Sequence, residues 1–367
     1  MTFIEIRLNY IEKKFGIHLT GFAFSVILLL ISSIYVTPAL QCVNHGVLYA
    51  RLSLNPLDFQ QANPLQLRIL SPFLGYVLFL RGNSFLFFPL LCGVIFLYVI
   101  YVAFRSQSFT LLQSLAIASL MAFNTPILFT LHFQGYTDTL SYLLVLLCLI
   151  IPNNLFAASA FALAMLNHES NFFALPYIIF LRFYSNAYRK QGIIFFIIAL
   201  IPFYIYRHYV TNQTQVLYTA GFYLNSEQIR LNLWAIAKLL PIGIFEAFRL
   251  CWGIPLIAGI YFFKDKRHKE MLFIILVPIC ASLQLCIASD TSRLMGLAFP
   301  CILFGAKYLK DYWKEEFTKR VWLVIGFNFL IPVYYVGQKH MIPFFPLPVS
   351  IIAYYLLNLD LWALWWK

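Results

Sequence analysis

Twelve apolar runs separated by short polar breaks leave this chain few ways to fold. They fall near residues 19–38, 84–103, 109–130, 137–151, 154–167, 170–184, 191–208, 241–263, 271–288, 293–306, 321–337 and 343–360. In a lipid solvent every backbone N–H and C=O must be satisfied internally, which a helix achieves and an open strand does not. Composition agrees, with 62% hydrophobic and 11% charged residues and a mean hydropathy of +0.79, far from an ordinary soluble domain. The expected fold is therefore an all-α, polytopic transmembrane helical bundle of about 10–12 spans. No linker or repeat divides the chain, so residues 1–367 are read as one membrane domain. Several runs fall short of the roughly 20 residues that a perpendicular span needs, so their ends should lie in protein or the bilayer should thin around them.

The run 69–80 needs separate treatment, because it is short, contains Pro72 and has Arg68 and Arg81 at its ends. It reads as an interfacial or re-entrant helix. The formal charge of +12 would suggest nucleic acid in a soluble protein, but most of the Lys and Arg sit in short loops between apolar runs, where they set orientation. No nucleic-acid partner is expected. With the N-terminus cytoplasmic and run 19–36 an uncleaved anchor, the basic loops at Arg105, 182–190, 264–269 and 307–320 fall inside. The segments 37–67, 131–136, 167–170, 209–240, 288–292 and 338–341 then fall outside. The cluster Trp362, Trp365 and Trp366 reads as an aromatic belt beside Lys367.

The unusual polar residues gather on the outer side. Asn167-His168-Glu169-Ser170-Asn171 interrupts two apolar runs, and an ionisable pair at the edge of hydrocarbon is costly unless it faces a cavity or a partner. Glu169 could serve as a base, a sugar contact or an ion-pair partner. Asp138 opens a span, where it complements the helix dipole or serves a site. Asp290 and Arg293 are spaced i,i+3, which favours a local pair, and Arg293 also suits phosphate. Arg68 is either a phosphate ligand or a snorkelling anchor. His45 and Asp58 are outer-loop residues by default, with a site role resting on position. Glu246 and Arg249 are also i,i+3 and are expected to pair with each other. The seven cysteines form no CxxC or Cys/His spacing, so no metal set is assigned. No Gly-rich phosphate loop and no GxSxG occurs.

Four short motifs, Arg68-Ile69-Leu70-Ser71-Pro72, Tyr136-Thr137-Asp138, His168-Glu169-Ser170 and Asp290-Thr291-Ser292-Arg293, follow an uncleaved first span in an order that resembles the GT-C superfamily of integral-membrane glycosyltransferases. The likeness runs from about residue 20 to about residue 305. It implies a polyprenyl-phosphate sugar as lipid-linked donor, a glycan, lipid or protein acceptor, contact with membrane lipids, and an acid in the first outer loop. Asn44-His45 stands where that acid is expected, which moves the base to His45, Asp58, Asp138 or Glu169, with Arg68, His168, Asp290 and Arg293 binding substrate. Arginines that stabilise the leaving phosphate would make a metal unnecessary, and no cofactor is expected. The rival readings are a lipid-linked glycan or small-molecule transporter or flippase, and a polysaccharide polymerase or ligase.

Overall fold

The computed structural model describes residues 3–59, 63–184, 192–213, 225–337, 339–357 and 359. The belt Trp362, Trp365 and Trp366 lies outside the described residues, as do parts of the loops 182–190 and 209–240. Helices make up nearly all of the rest. Five of them are long and apolar enough to cross a membrane: Arg7–Tyr35, Gly82–Arg105, Gly192–Gln213, Leu240–Lys264 and His268–Cys286. Leu111–Ala122 and Thr125–His132, bent by 48°, make a sixth span if taken together. The chain is a multi-pass membrane protein.

Fewer helices span by length than there are apolar runs. Asp138–Ile150 has 13 residues, which at about 1.5 Å per residue cover roughly 20 Å of a hydrocarbon core about 30 Å thick. Asn154–Asn167 is nearly as short. Run 69–80 yields only the helix Leu70–Val77, too short to span, with Phe73, Tyr76 and Val77 exposed. Run 321–337 does not form one helix. Phe317–Leu330 ends before Pro332, and the chain enters an antiparallel hairpin, Val333–Gly337 with His340–Phe344. Val333 faces Phe344 and Gly337 faces His340. The signal was present in Val333-Tyr334-Tyr335-Val336, a β-branched and aromatic run closed by Gly337.

Leu111–Ala122, Thr125–His132 and Asp138–Ile150 are buried on nearly every side, whereas the apolar window of Arg7–Tyr35 is only 28% buried. These three helices thus form the centre together with Gly82–Arg105, whose apolar window is 56% buried, while Arg7–Tyr35 and Gly192–Gln213, at 28% and 22%, lie at the rim. Apolar burial contributes little between helices in lipid, so close packing of small residues carries the contact. Asn154–Asn167 lies against Asp138–Ile150, where the Cys148 thiol donates to the Ala157 carbonyl at 3.3 Å, and its Ala157, Ala160 and Ala164 are buried on one helical face. That contact places the residues following Asn167 beside Asp138.

The expected Glu246–Arg249 pair is not formed. Arg249 adopts φ 47°, which ends the helix Leu240–Phe248 before the two side chains can share a face. Arg249, 1% exposed, instead donates to Tyr35 Oη at 2.6 Å, to the carbonyls of Ile331 at 3.0 Å and Asn328 at 3.1 Å, and to the carbonyl of Phe123. Those carbonyls close the C-terminal ends of two other helices, where a cation is favoured. Glu246 accepts the Tyr334 N–H at 3.1 Å and so anchors the hairpin.

Candidate functional site

Seven of the eight proposed site residues meet at one end of the bundle. The short loop before Asp138 and the helix beginning at His45 approach at two glycines. A Cβ on Gly46 would lie 2.1 Å from the Gln134 carbonyl oxygen, and one on Gly135, whose φ is +89°, would lie 2.7 Å from Gly46 Cα. Only glycines permit that approach, and the Val43 N–H closes it on the Gln134 carbonyl at 3.1 Å. The result is that His45 stacks on Tyr136, with ring centroids 5.7 Å apart and planes at 17°.

Two charged groups flank this stack. On one side Arg68 grips Glu169 with both edges of its fork, Nε to Oε2 at 2.9 Å and Nη2 to Oε1 at 2.5 Å, while Nη1 reaches Tyr49 Oη at 3.4 Å. On the other, Arg293 donates through Nε to Asp138 Oδ2 at 3.0 Å and through Nη1 to Asp290 Oδ2 at 2.8 Å. The guanidinium lies over Tyr136 at 4.8 Å, and its Nη2 makes no hydrogen bond among the described residues. The hairpin completes this side, with Tyr335 Oη donating to Asp290 Oδ1 at 2.5 Å and the Val336 N–H donating to Ser292 Oγ at 3.0 Å.

The polar stretch after the short helix Asn154–Asn167 is held by its two asparagines. Asn167 accepts from Ser71 Oγ at 2.5 Å and donates to the Thr137 carbonyl at 3.0 Å and Ser141 Oγ at 2.8 Å. Asn171 donates to the carbonyls of Ala164 and His168. Between them His168 Nδ1 accepts the Ser170 N–H at 3.1 Å, which leaves a neutral ring carrying its proton on Nε2. The expectation singled out His168 and Glu169 in this stretch, yet Asn167 and Asn171 set their position. Ser71, which lies inside the motif beginning at Arg68, and Ser141, Tyr49 and Tyr335, which carried no sequence signal, also belong to the site.

Electrostatics assigns different states to these groups. Burial works to raise the Glu169 carboxyl, but the Arg68 charge, His168 and the Arg68 hydrogen bonds outweigh it and hold the acid well below the usual carboxylate range. Burial, and then the Arg68 charge, pushes His168 down to about 3. Burial, followed by the charges of Arg293 and Arg68, pushes His45 down to about 4. Both imidazoles are neutral near pH 7. His45 Nδ1 is buried and has no hydrogen-bond partner, and in the Nε2–H tautomer it presents a lone pair. Glu169 and Asp138, by contrast, are engaged as anions by arginines, which makes them poor bases.

The eighth residue is Asp58. It lies in the same sequence segment as His45, where its main-chain carbonyl accepts from Gln66 Nε2 at 2.7 Å, while the ion pairs of the site join Arg68 with Glu169 and Arg293 with Asp138 and Asp290. Among the described residues no three His, Cys, Asp or Glu side chains are grouped to hold a metal ion. No family model, no curated protein and no solved structure matches the chain.

Proposed function

We propose that the chain is a membrane glycosyltransferase that moves a sugar from a lipid-phosphate donor to an acceptor hydroxyl on the extracytoplasmic side, with His45 as general base. The observation that carries this reading is the enclosed, unpartnered Nδ1 of a neutral, half-buried imidazole set between two arginines. In the reaction Nδ1 takes the acceptor proton as the acceptor oxygen bonds to the anomeric carbon and the bond from that carbon to the phosphate oxygen breaks. The departing lipid phosphate gains one negative charge, and Arg293, through Nη2, stabilises it where water is excluded. Arg68 and Glu169 fix the other wall. The order of the four outer motifs, which resembles GT-C enzymes, supports the same assignment.

The test is sugar transfer from a synthetic polyprenyl-phosphate sugar by the purified protein. His45→Gln should lower the rate by about 10²–10⁴-fold, the usual contribution of a positioned base, with the thermal melt unchanged. A rate near that of the native protein would overturn the assignment of His45.

A second reading rests on charge. With both histidines neutral, Arg68 and Arg293 face Asp138, Glu169 and Asp290, a net charge of −1. A negative cluster is less suited to phosphate than to a cation or polyol, which favours a transporter. Asp290→Asn separates the two readings. A phosphate donor should bind the variant more tightly, by about five-fold for a change near 1 kcal/mol, whereas transport of a cation should weaken. Movement of substrate without a new glycosidic bond would sink the transferase reading.

A further inference from the structure

A cavity of about 480 Å³ lies near the end of the bundle opposite His45 and Glu169. It falls within the range of about 300–1,000 Å³ typical of sites for small molecules. Its depth is lined by the buried side chains of Ile100, Leu146, Phe273 and Leu303. Its edge carries Lys269 and Lys307, both exposed.

The spacing of these residues is regular. In helix His268–Leu283, Lys269 lies one turn from Phe273, and in helix Phe299–Trp313, Lys307 lies one turn from Leu303. Residues four apart share a helical face, and the two helices pack together. Each helix therefore offers the cavity an apolar side chain with a lysine one turn nearer the membrane surface. Glu270 also lines the cavity, but Arg267 occupies its Oε1 at 2.7 Å and 3.1 Å and lies over the Tyr308 ring at 4.4 Å. Asp311 bears on Lys307, and formally the basic side chains Lys269, Lys307 and Arg267 outnumber Glu270 and Asp311 at this rim.

An apolar interior with a cationic rim at headgroup level matches an anionic amphiphile and no water-soluble anion. We propose that this cavity holds an acyl chain of an anionic phospholipid, with the lipid phosphate between Lys269 and Lys307. Basic pockets between transmembrane helices recognise anionic headgroups in this way, each lysine adding a modest increment. The inference is independent of the chemistry assigned to His45, because no residue of that site lines the cavity.

The test uses the purified full chain in detergent, titrated with palmitoyl-oleoyl phosphatidylglycerol, phosphatidylcholine of the same chains, and glycerol phosphate. Native mass spectrometry and the thermal melt are the readouts. Phosphatidylglycerol should bind one per chain and raise the melt, phosphatidylcholine should bind more weakly, and glycerol phosphate should do neither. Lys269→Gln and Lys307→Gln, at exposed positions that leave the fold intact, should each weaken phosphatidylglycerol by about five-fold. Equal binding of the two lipids, equal binding of glycerol phosphate, or unchanged affinity in both variants would overturn the proposal.

Discussion

At the scale of single residues the site is a set of buried ionisable groups whose charge states depend on one another, and this gives it a measurable response to acid. An imidazole whose folded pKa is depressed binds fewer protons than its unfolded counterpart over the interval between the two values. For His45 that interval runs from about 4 to the ordinary value of 6.5, and for His168 from about 3 to 6.5. Stability is therefore complete above pH 6.5 and falls as pH drops through the interval, at up to about 1.4 kcal/mol per pH unit for each histidine. The depressed Glu169 carboxyl acts in the same direction lower down, since the stability it contributes is present above its ordinary value of 4.5 and is lost below it. The melt in detergent should fall clearly between pH 7.5 and 5.5. His45→Gln and His168→Gln should each flatten that slope, and identical melts at the two pH values in the native protein would contradict these charge states.

At the scale of elements, what was legible in the sequence was what depends on near neighbours. Asp290 and Arg293 pair at i,i+3 as their spacing suggests, because the short helix Thr291–Leu294 keeps them on one face. The same spacing misled at Glu246 and Arg249, where a positive φ at a residue other than glycine breaks the helix and tertiary partners decide the outcome. Arg68 with Glu169 and Arg293 with Asp138 were legible only as residues in need of partners, since 101 and 155 positions separate them in the chain. The helix break makes Arg249 a brace for several elements at once. Arg249→Leu would take the main donor from the buried Phe123 carbonyl, at about 1–3 kcal/mol, and one of two donors from the carbonyls of Ile331, which keeps Tyr35 Oη, and Asn328, which keeps the Ile331 N–H. Arg249→Lys should recover little, because an ammonium cannot span the planar set of acceptors that a guanidinium reaches. Both variants should yield far less monodisperse protein with a lowered melt, and a native-like melt for Arg249→Leu would remove the brace from the account.

At the scale of the whole molecule the two ends of the bundle differ in how they carry charge, and that difference predicts an orientation. At the end holding His45, Arg68 and Arg293 are held in ion pairs by Glu169, Asp138 and Asp290, while Arg51 is exposed. At the other end Lys264, Lys266, Lys269, Lys307, Lys314 and Lys319 stand exposed on short connections or helix ends. Lysines and arginines in short loops near span ends resist translocation, so the lysine-rich end should stay in the cytoplasm and the site should face outward. The short central helices make the two ends distinct in space as well, since residues at opposite ends of Asp138–Ile150 cannot share a surface. Single cysteines introduced at Asn44, Lys266 and Lys314, all exposed, into a chain whose seven native cysteines have been replaced test the orientation directly. On intact cells a membrane-impermeant maleimide should label position 44 and should reach 266 and 314 only after permeabilisation. Equal labelling at 44 and 266 before permeabilisation would reject the orientation and, with it, an extracytoplasmic acceptor for the proposed transfer.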